Sequence, residues 1–463
     1  MKAIFLRLCG FILSLLLACP LWGQQQYQNI PQKTRILFLL DGSGSMLSNW
    51  EGTTRMGAAK RLLSDMVDSL RSDNRVELAL RVYGHQFDRR LQNCEDSKLE
   101  VGFGVSNHDQ IIKKLRAVAP KGTTPIAYSL QQLEKDFPSD DSYRNIVIII
   151  TDGLESCDGD PCQVSRVLQR KRIFLRPFII GLGMDQDFEV QFNCLGRFFD
   201  AKNIPAFRNV LGQTLQQTLG ETTVSIELLD HQNAPRETDI NVSFINSVTK
   251  QSAFEFVHYR DNRGRPDSVI VDAVLSYDII ANTIPPVAKR NVLFHGGKHN
   301  VINLKTPQGH LQMSQRNYSE YGGPVAVLVR RAGKPAVIHT QTITGRETYL
   351  AGEYDLEILT LPRIRRKVEI LPDQTTTLNI AAPGVLNINT NVTGHGSLYV
   401  INNDQTQRWV LNISGKPRET MGIQPGQYKL VFRAENALGS KFTKIYTFEI
   451  KSGTTKTLNL FGK

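Results

Sequence analysis

The sequence is short of the residues that build soft-metal centres. It holds six cysteines in 463 residues, and Cys9 and Cys19 fall in the first twenty-three. The other four, Cys94, Cys157, Cys162 and Cys194, contain no C-x-x-C pair, which argues against a zinc site. Beyond residue 23 no apolar run approaches the roughly 20 residues that a membrane-spanning helix needs. There is no compact basic element interleaved with aromatics either, and this excludes an evident nucleic-acid interface. The formal net charge of +11 is spread along the chain, and Lys2 and Arg7 of the leader supply two of those charges. Its densest cluster, "RIRRK" at Arg363 to Lys367, reads as a solvated strand face.

The first 23 residues differ from the rest. Lys2 and Arg7 precede an apolar run from Phe11 to Ala18, followed by small or turn-prone residues up to Gln24. This pattern is that of a secretory signal peptide, so the expected location is outside the cytoplasm, in a periplasm or at a cell surface. "LLAC" at Leu16 to Cys19 is a poor lipobox, because Leu17 is bulky and Pro20 follows; cleavage after Gly23 is preferred to lipid anchoring at Cys19. Four remaining cysteines in an exported chain favour two disulfides. Three pairings are open, and Cys157–Cys162 across "CDGDPC" with a long-range Cys94–Cys194 bridge is the expected one.

From Thr34 to about Gly220 the chain alternates between short apolar runs and helical patterns. "RILFLLD", "RVELALRVYG", "NIVIIITDG" and "IFLRPFIIGLG" read as buried strands, with "LEVGFG" a short edge strand. Between them Ala59, Leu62, Leu63, Met66, Val67 and Leu70 share one helical face, and Pro125 opens another helix. This alternation predicts an α/β domain with a doubly wound, mainly parallel sheet over residues 34–220. After residue 221 helical periodicity vanishes. Short alternating strands take over, and "LSYDIIA", "GEYDLEI" and "GQYKLVF" set Tyr277, Tyr354 and Tyr428 at near-constant intervals. Three tandem all-β sandwich modules are expected, at 222–305, 306–381 and 382–463, with the tyrosines as packing anchors.

Chemistry concentrates in three stretches of the first domain. "DGSGSM" lacks the Lys of a phosphate-binding loop, the G-x-S-x-G of a nucleophile elbow and the third Gly of a dinucleotide fingerprint. It does place Asp41 at a strand's end with hydroxyls at Ser43 and Ser45. "KGTTPIAYSL" sets Thr123 and Thr124 at a helix start, and "IIITDGLES" sets Asp152 at the end of a second buried strand. In an open parallel sheet such ends converge where the strand order reverses. Three hydroxyls and two carboxylates make an all-oxygen shell suited to a hard divalent cation.

These three stretches resemble the metal-ion-dependent adhesion site of von Willebrand factor type A domains, in order and on matching elements. "VYGH", "NCED", "DGLESCDGDPC" and "FNC…FFDA" are similar to exported bacterial members. The resemblance implies Asp41, Ser43, Ser45, Thr124 and Asp152 as ligands of Mg²⁺ or another divalent cation, with Thr123 the alternative to Thr124. It also implies an open coordination position for a carboxylate of a protein partner. The expected function is thus metal-dependent protein binding, without nucleic acid and without catalysis. A structural scaffold that leaves the metal face unused is the alternative; a metal-dependent hydrolase lacks an evident base or nucleophile. His85 follows the neighbouring strand and is a rim candidate, better read as a loop hydrogen-bond donor. Asp158 and Asp160 read as a turn, with Asp160 an N-cap.

Overall fold

The computed structural model describes residues 31, 33–140, 142–171, 173, 178–182 and 195–460. The leader at 1–23 with its Cys19, and Cys194, lie outside the described residues. The first domain runs β1 (Lys33–Asp41), a short hairpin of β2 (Asn49–Trp50) and β3 (Thr53–Thr54), α1 (Arg55–Ser69), β4 (Val76–Tyr83) and β5 (Ser97–Gly104). It continues through α2 (His108–Ala117), α3 (Ile126–Asp136), β6 (Tyr143–Thr151), α4 (Pro161–Arg170), β7 (Phe178–Leu182), β8 (Arg197–Ala201) and α5 (Ile204–Leu219).

The main sheet has the order β5-β4-β1-β6-β7-β8. All neighbours run parallel except the edge strand β5, which is antiparallel to β4. Strand β1 is apolar on both sides because both sides are covered. Ile36, Phe38 and Leu40 pack with α1, α2 and α5 in one core, and Leu37 and Leu39 pack with α3 and α4 in the other. This is a doubly wound α/β sheet. The six apolar residues expected on one face of α1 are all buried, and the Thr54 side chain caps that helix by accepting from Gly57 N at 3.0 Å.

The chain forms two compact units. The first contains the α/β domain with Val242–Ile280 and Ala288–Ile302; the second contains Glu227–Asn241, Ala281–Val287 and Asn303 onward. In the first unit Phe244, Phe254, Tyr277 and Phe294 stack in an aromatic cluster. In the second unit two successive stretches repeat one plan. Residues 308–380 form a three-stranded and a four-stranded sheet, and residues 384–460 form the same pair in the same order. Each stretch encloses its own core. Tyr354 and Tyr428 anchor these cores identically. Each is fully buried and donates its hydroxyl to the carbonyl four residues upstream, Leu350 and Gln424, at 2.6 Å. Such tyrosine corners are a mark of Greek-key sandwiches. Among the described residues no helix is long and apolar enough to cross a membrane.

Candidate metal centre

The chain leaves β1 for β4 on one side of it and returns to β6 on the other, so the strand order reverses at β1. Ligands of open α/β sheets bind in the crevice that such a reversal opens at the strands' C-terminal ends. Asp41 is the last residue of β1 and is fully buried, and Asp152 follows β6 directly. The loop after β1 crosses the crevice as a 3₁₀ turn at Gly44–Leu47. It is tied to the loop leading into α3 by Gly44 N donating to Gly122 O at 3.1 Å and by an isolated Ser43–Gly122 bridge.

The crossing needs small residues. Gly84 holds φ +66°, and a Cβ there would stand 2.2 Å from Thr123 O. A side chain would therefore pay both left-handed strain and a backbone clash.

The predicted residues meet in this crevice. Ser43 Oγ and Ser45 Oγ are 2.9 Å apart, and Ser45 Oγ donates to Asp152 Oδ1 at 2.7 Å. Asp41 accepts from Ser43 N and from Thr151 Oγ1, each at 2.7 Å. Thr124 Oγ1 lies against Gly153, 4.0 Å from where a Cβ would sit. The two threonines differ in use. Thr123 Oγ1 donates to Asn93 O at 3.0 Å, which commits it to the loop after β4. His85 turns away as well, its Nε2 3.2 Å from Glu100 Oε1. Asp160 caps α4, accepting from Gln163 N at 3.0 Å. Pro125 takes the cap position of α3, and Glu155 from the loop after β6 accepts from Ala127 N at 2.6 Å.

Sequence reading does not single out Arg55. Its Nη1 stands 2.8 Å from Asp152 Oδ2, with the Asp152 side chain wholly buried. Nothing in "TTRMGAAK" marks it, since the contact depends on where the hairpin delivers the start of α1. Thr151, Ser156 and Glu155 are second-rank supports of the same kind. Ser156 Oγ accepts from Thr124 N at 2.7 Å, and Ser156 N donates to Thr124 O at 3.1 Å.

Burial, and next the charge of Asp152, push the Asp41 carboxyl up to about 6, against hydrogen bonds from Ser43 and Thr151. Tyr83, buried beside it, is pushed well up by burial and by the Asp41 charge, and stays protonated. The donor set fits a hard cation: two carboxylates and three hydroxyls, all oxygen. Among the described residues no group of three or more His, Cys, Asp or Glu suited to a metal occurs, so a cation held here would need the hydroxyls beside the two carboxylates.

The expected disulfides are corrected. Cys94 is bonded to Cys157, with Cα atoms 5.8 Å apart; neither Cys157–Cys162 nor Cys94–Cys194 forms. Strands β4 and β6 flank β1, so the loops after them meet above the sheet and bring Cys94 to Cys157. Cys162, also disulfide-bonded, lies in the first turn of α4 and packs against the second core. The Cys94–Cys157 bond therefore staples the loop after β4, whose Asn93 O accepts from Thr123, to the loop after β6, whose Ser156 Oγ accepts from Thr124 N.

The model of the von Willebrand factor type A domain matches residues 36–155, which span this crevice from β1 to the loop after β6. The chain belongs to the von Willebrand factor type A domain family. Two Bacillus subtilis (strain 168) relatives share the type A region. The uncharacterized protein YwmD is 31% identical over 157 residues, covering 33% of this chain and 69% of that one. The uncharacterized protein YwmC is 28% identical over 177 residues, covering 37% and 76%. Among solved structures, the pilus adhesin SpaC of Lactobacillus rhamnosus GG aligns over 92% of this chain and 83% of its own, at 10% identity and TM-score 0.35. A likeness that weak does not bear on function.

Proposed function

We propose that this is an exported, non-enzymatic interaction protein whose type A domain binds a partner protein through a divalent cation, Mg²⁺ in the first instance. Asp41, Ser43, Ser45, Thr124 and Asp152 would hold the cation, directly or through water. The observation that carries the reading is the clustering at the strand ends: Asp41, Ser43, Thr124 and Asp152 are buried, half-buried Ser45 links Ser43 to Asp152, and Asp41 is held against the charge of Asp152. Two carboxylates about 4 Å apart repel by roughly 1 to 4 kcal/mol at effective dielectrics of 80 to 20, and a cation reverses that sign. When bound, the cation supplies a Lewis-acidic position to which a carboxylate of the partner can attach. The protein's own residues bind and orient it: Thr151 and Ser43 N fix the Asp41 carboxylate, and the disulfide fixes the loops. A type A domain supports an interaction role. The Cys94–Cys157 bond suits an oxidising compartment, in line with the leader at 1–23.

The test is titration calorimetry of the metal-stripped chain with MgCl₂ and MnCl₂, beside Asp41→Ala and Asp152→Ala. One saturable site in the parent and none in either variant is the expected result. The same heats in all three would sink the proposal. Cross-linked capture of one partner from envelope extract in Mg²⁺, lost in EDTA, would extend it to the ligand.

A further inference from the structure

The last β-rich stretch carries a second feature, remote in sequence from the metal centre. In strand Gln407–Ile413 strict alternation would place Trp409, Leu411 and Ile413 on one face, and Ile413 is buried. The strand bulges instead. Leu398 pairs with Leu411 but Tyr399 pairs with Trp409, so Val410 is skipped and Trp409 changes face. Bulges re-aim side chains in this way. Trp409 is left 55% exposed.

The exposed ring is held in place. Trp409 Nε1 donates to Asn412 Oδ1 at 3.1 Å, and Ser397 Oγ donates to the same oxygen at 2.7 Å. Tyr399 stands beside it as the cross-strand neighbour, with Lys429 Nζ 5.0 Å from the Tyr399 ring centre. Lys429 also donates to Gln407 Oε1. Along the same face a depression of about 370 Å³ is lined by His395, Ser397, Tyr399, Asn412, Arg433 and Thr443.

The preceding stretch shows what this face looks like when it carries no such feature. Its strand pairs bulge at the same place, and register makes Val337, Arg330, Asp355 and Glu357 the counterparts of Trp409, Tyr399, Lys429 and Val431. There Glu357 neutralises Arg330 at 3.0 Å and Arg363 at 3.3 Å. In the last stretch both acids are gone, an aromatic pair has entered, and residues 382–463 hold ten Lys or Arg against four Asp or Glu. Glu449, across from Gln427, is the acid that the sheet face retains.

We infer that this face, centred on Trp409, Tyr399, Lys429 and Arg433, binds an anionic polysaccharide. Fixed aromatic rings offer flat apolar platforms for the C–H faces of sugar rings. Short hydroxyl and amide groups (Ser397, Asn412 and Thr443) suit sugar hydroxyls, and Lys429 and Arg433 suit carboxylates. An excess of positive charge on this face, Lys429 and Arg433 against Glu449, selects an anionic polymer over a neutral one.

The test is affinity electrophoresis of the intact chain in gels containing polygalacturonate or dextran, with EDTA throughout so that the metal centre is silent. The expected result is retardation by polygalacturonate that weakens with salt and survives Asp41→Ala. It should weaken by roughly ten-fold in Trp409→Ala, as for an aromatic anchor, and to a similar degree in Lys429→Gln/Arg433→Gln. These side chains lie at the surface, and unchanged thermal unfolding of each variant checks that the fold survives. No retardation, equal retardation of Trp409→Ala, or retardation by dextran alike would overturn the inference. So would tighter binding of a labelled single-stranded DNA than of polygalacturonate, which would assign the face to nucleic acid.

Discussion

The crevice above β1 and the outer face of the last β-rich sheet place their polar chemistry in opposite settings. In the crevice the carboxylates are buried and little screened by water, with Arg55 as the cation beside Asp152, so a bound divalent cation would change their energy greatly. On the outer face Trp409 is exposed and Tyr399, Lys429 and Arg433 are half-buried, so each contact is individually weak and a ligand must engage several at once. The difference bears on how each is written in the sequence. The crevice residues sit at strand ends whose position follows from the apolar runs before them. The outer face depends on a register shift at Val410 and on pairing across four strands. One is local in sequence, the other is a property of the assembled sheet.

The largest way to break the comparison is to cut the crevice's staple. Cys94→Ser/Cys157→Ser opens a loop with a sequence separation of 63. It should cost about 4 kcal/mol by the loop-entropy relation, and cation binding should weaken with it. The outer face lies in the second compact unit and should keep its polysaccharide retardation. Differential scanning calorimetry with electrophoresis on the same sample checks both. Loss of both functions together would show that the two regions do not fold separately.

Trp409→Ala/Tyr399→Ala is the reciprocal cut. It strips the outer face of both rings of its cross-strand aromatic pair and leaves the core of that sheet, with Leu398, Leu430 and Phe432, in place. Polysaccharide retardation should vanish while the cation isotherm of the type A domain is unchanged.

Much of the type A domain was legible because strand and helix differ in apolar period. The five candidate ligands converge because parallel strands end on one side of a sheet. The disulfide was not legible. Cys157 and Cys162 are close in sequence, but the start of α4 separates them, while topology brings Cys94 over from the loop after β4. Arg55 was equally hidden. The outer face was hidden in another way: pairing sets Lys429 and Arg433 of one strand beside aromatic rings from two others, which no window of sequence displays.

A smaller effect sharpens the crevice's side of the comparison. Arg55 places a positive charge 2.8 Å from Asp152 Oδ2, where it competes with a cation for the same carboxylate. Arg55→Gln keeps a polar, though shorter, side chain and removes the charge. Divalent cation affinity should rise about five-fold, near 1 kcal/mol for one charge at this range in a partly solvated site. Calorimetric titration of Mn²⁺ reads it directly, and an unchanged or weaker affinity would mean that Arg55 orients Asp152 rather than competing for it.

The smallest effect contrasts two carboxyls of one domain. Asp41 is pushed up because burial and a like charge act on it, with only hydrogen bonds opposing. Glu100 is also opposed by burial, but Lys114, Lys98 and His85 surround it and pull it down to about 2. A carboxyl depressed in the folded state binds fewer protons there than in the unfolded chain near pH 3. The stability it contributes is therefore complete above its ordinary value near 4.5 and is lost as pH falls towards 2. Thermal midpoints measured between pH 6 and pH 2 should fall less steeply for Glu100→Gln than for the parent, with the two curves converging at the acid end. Parallel curves would mean that the ion pairs around Glu100 are too solvated to add stability.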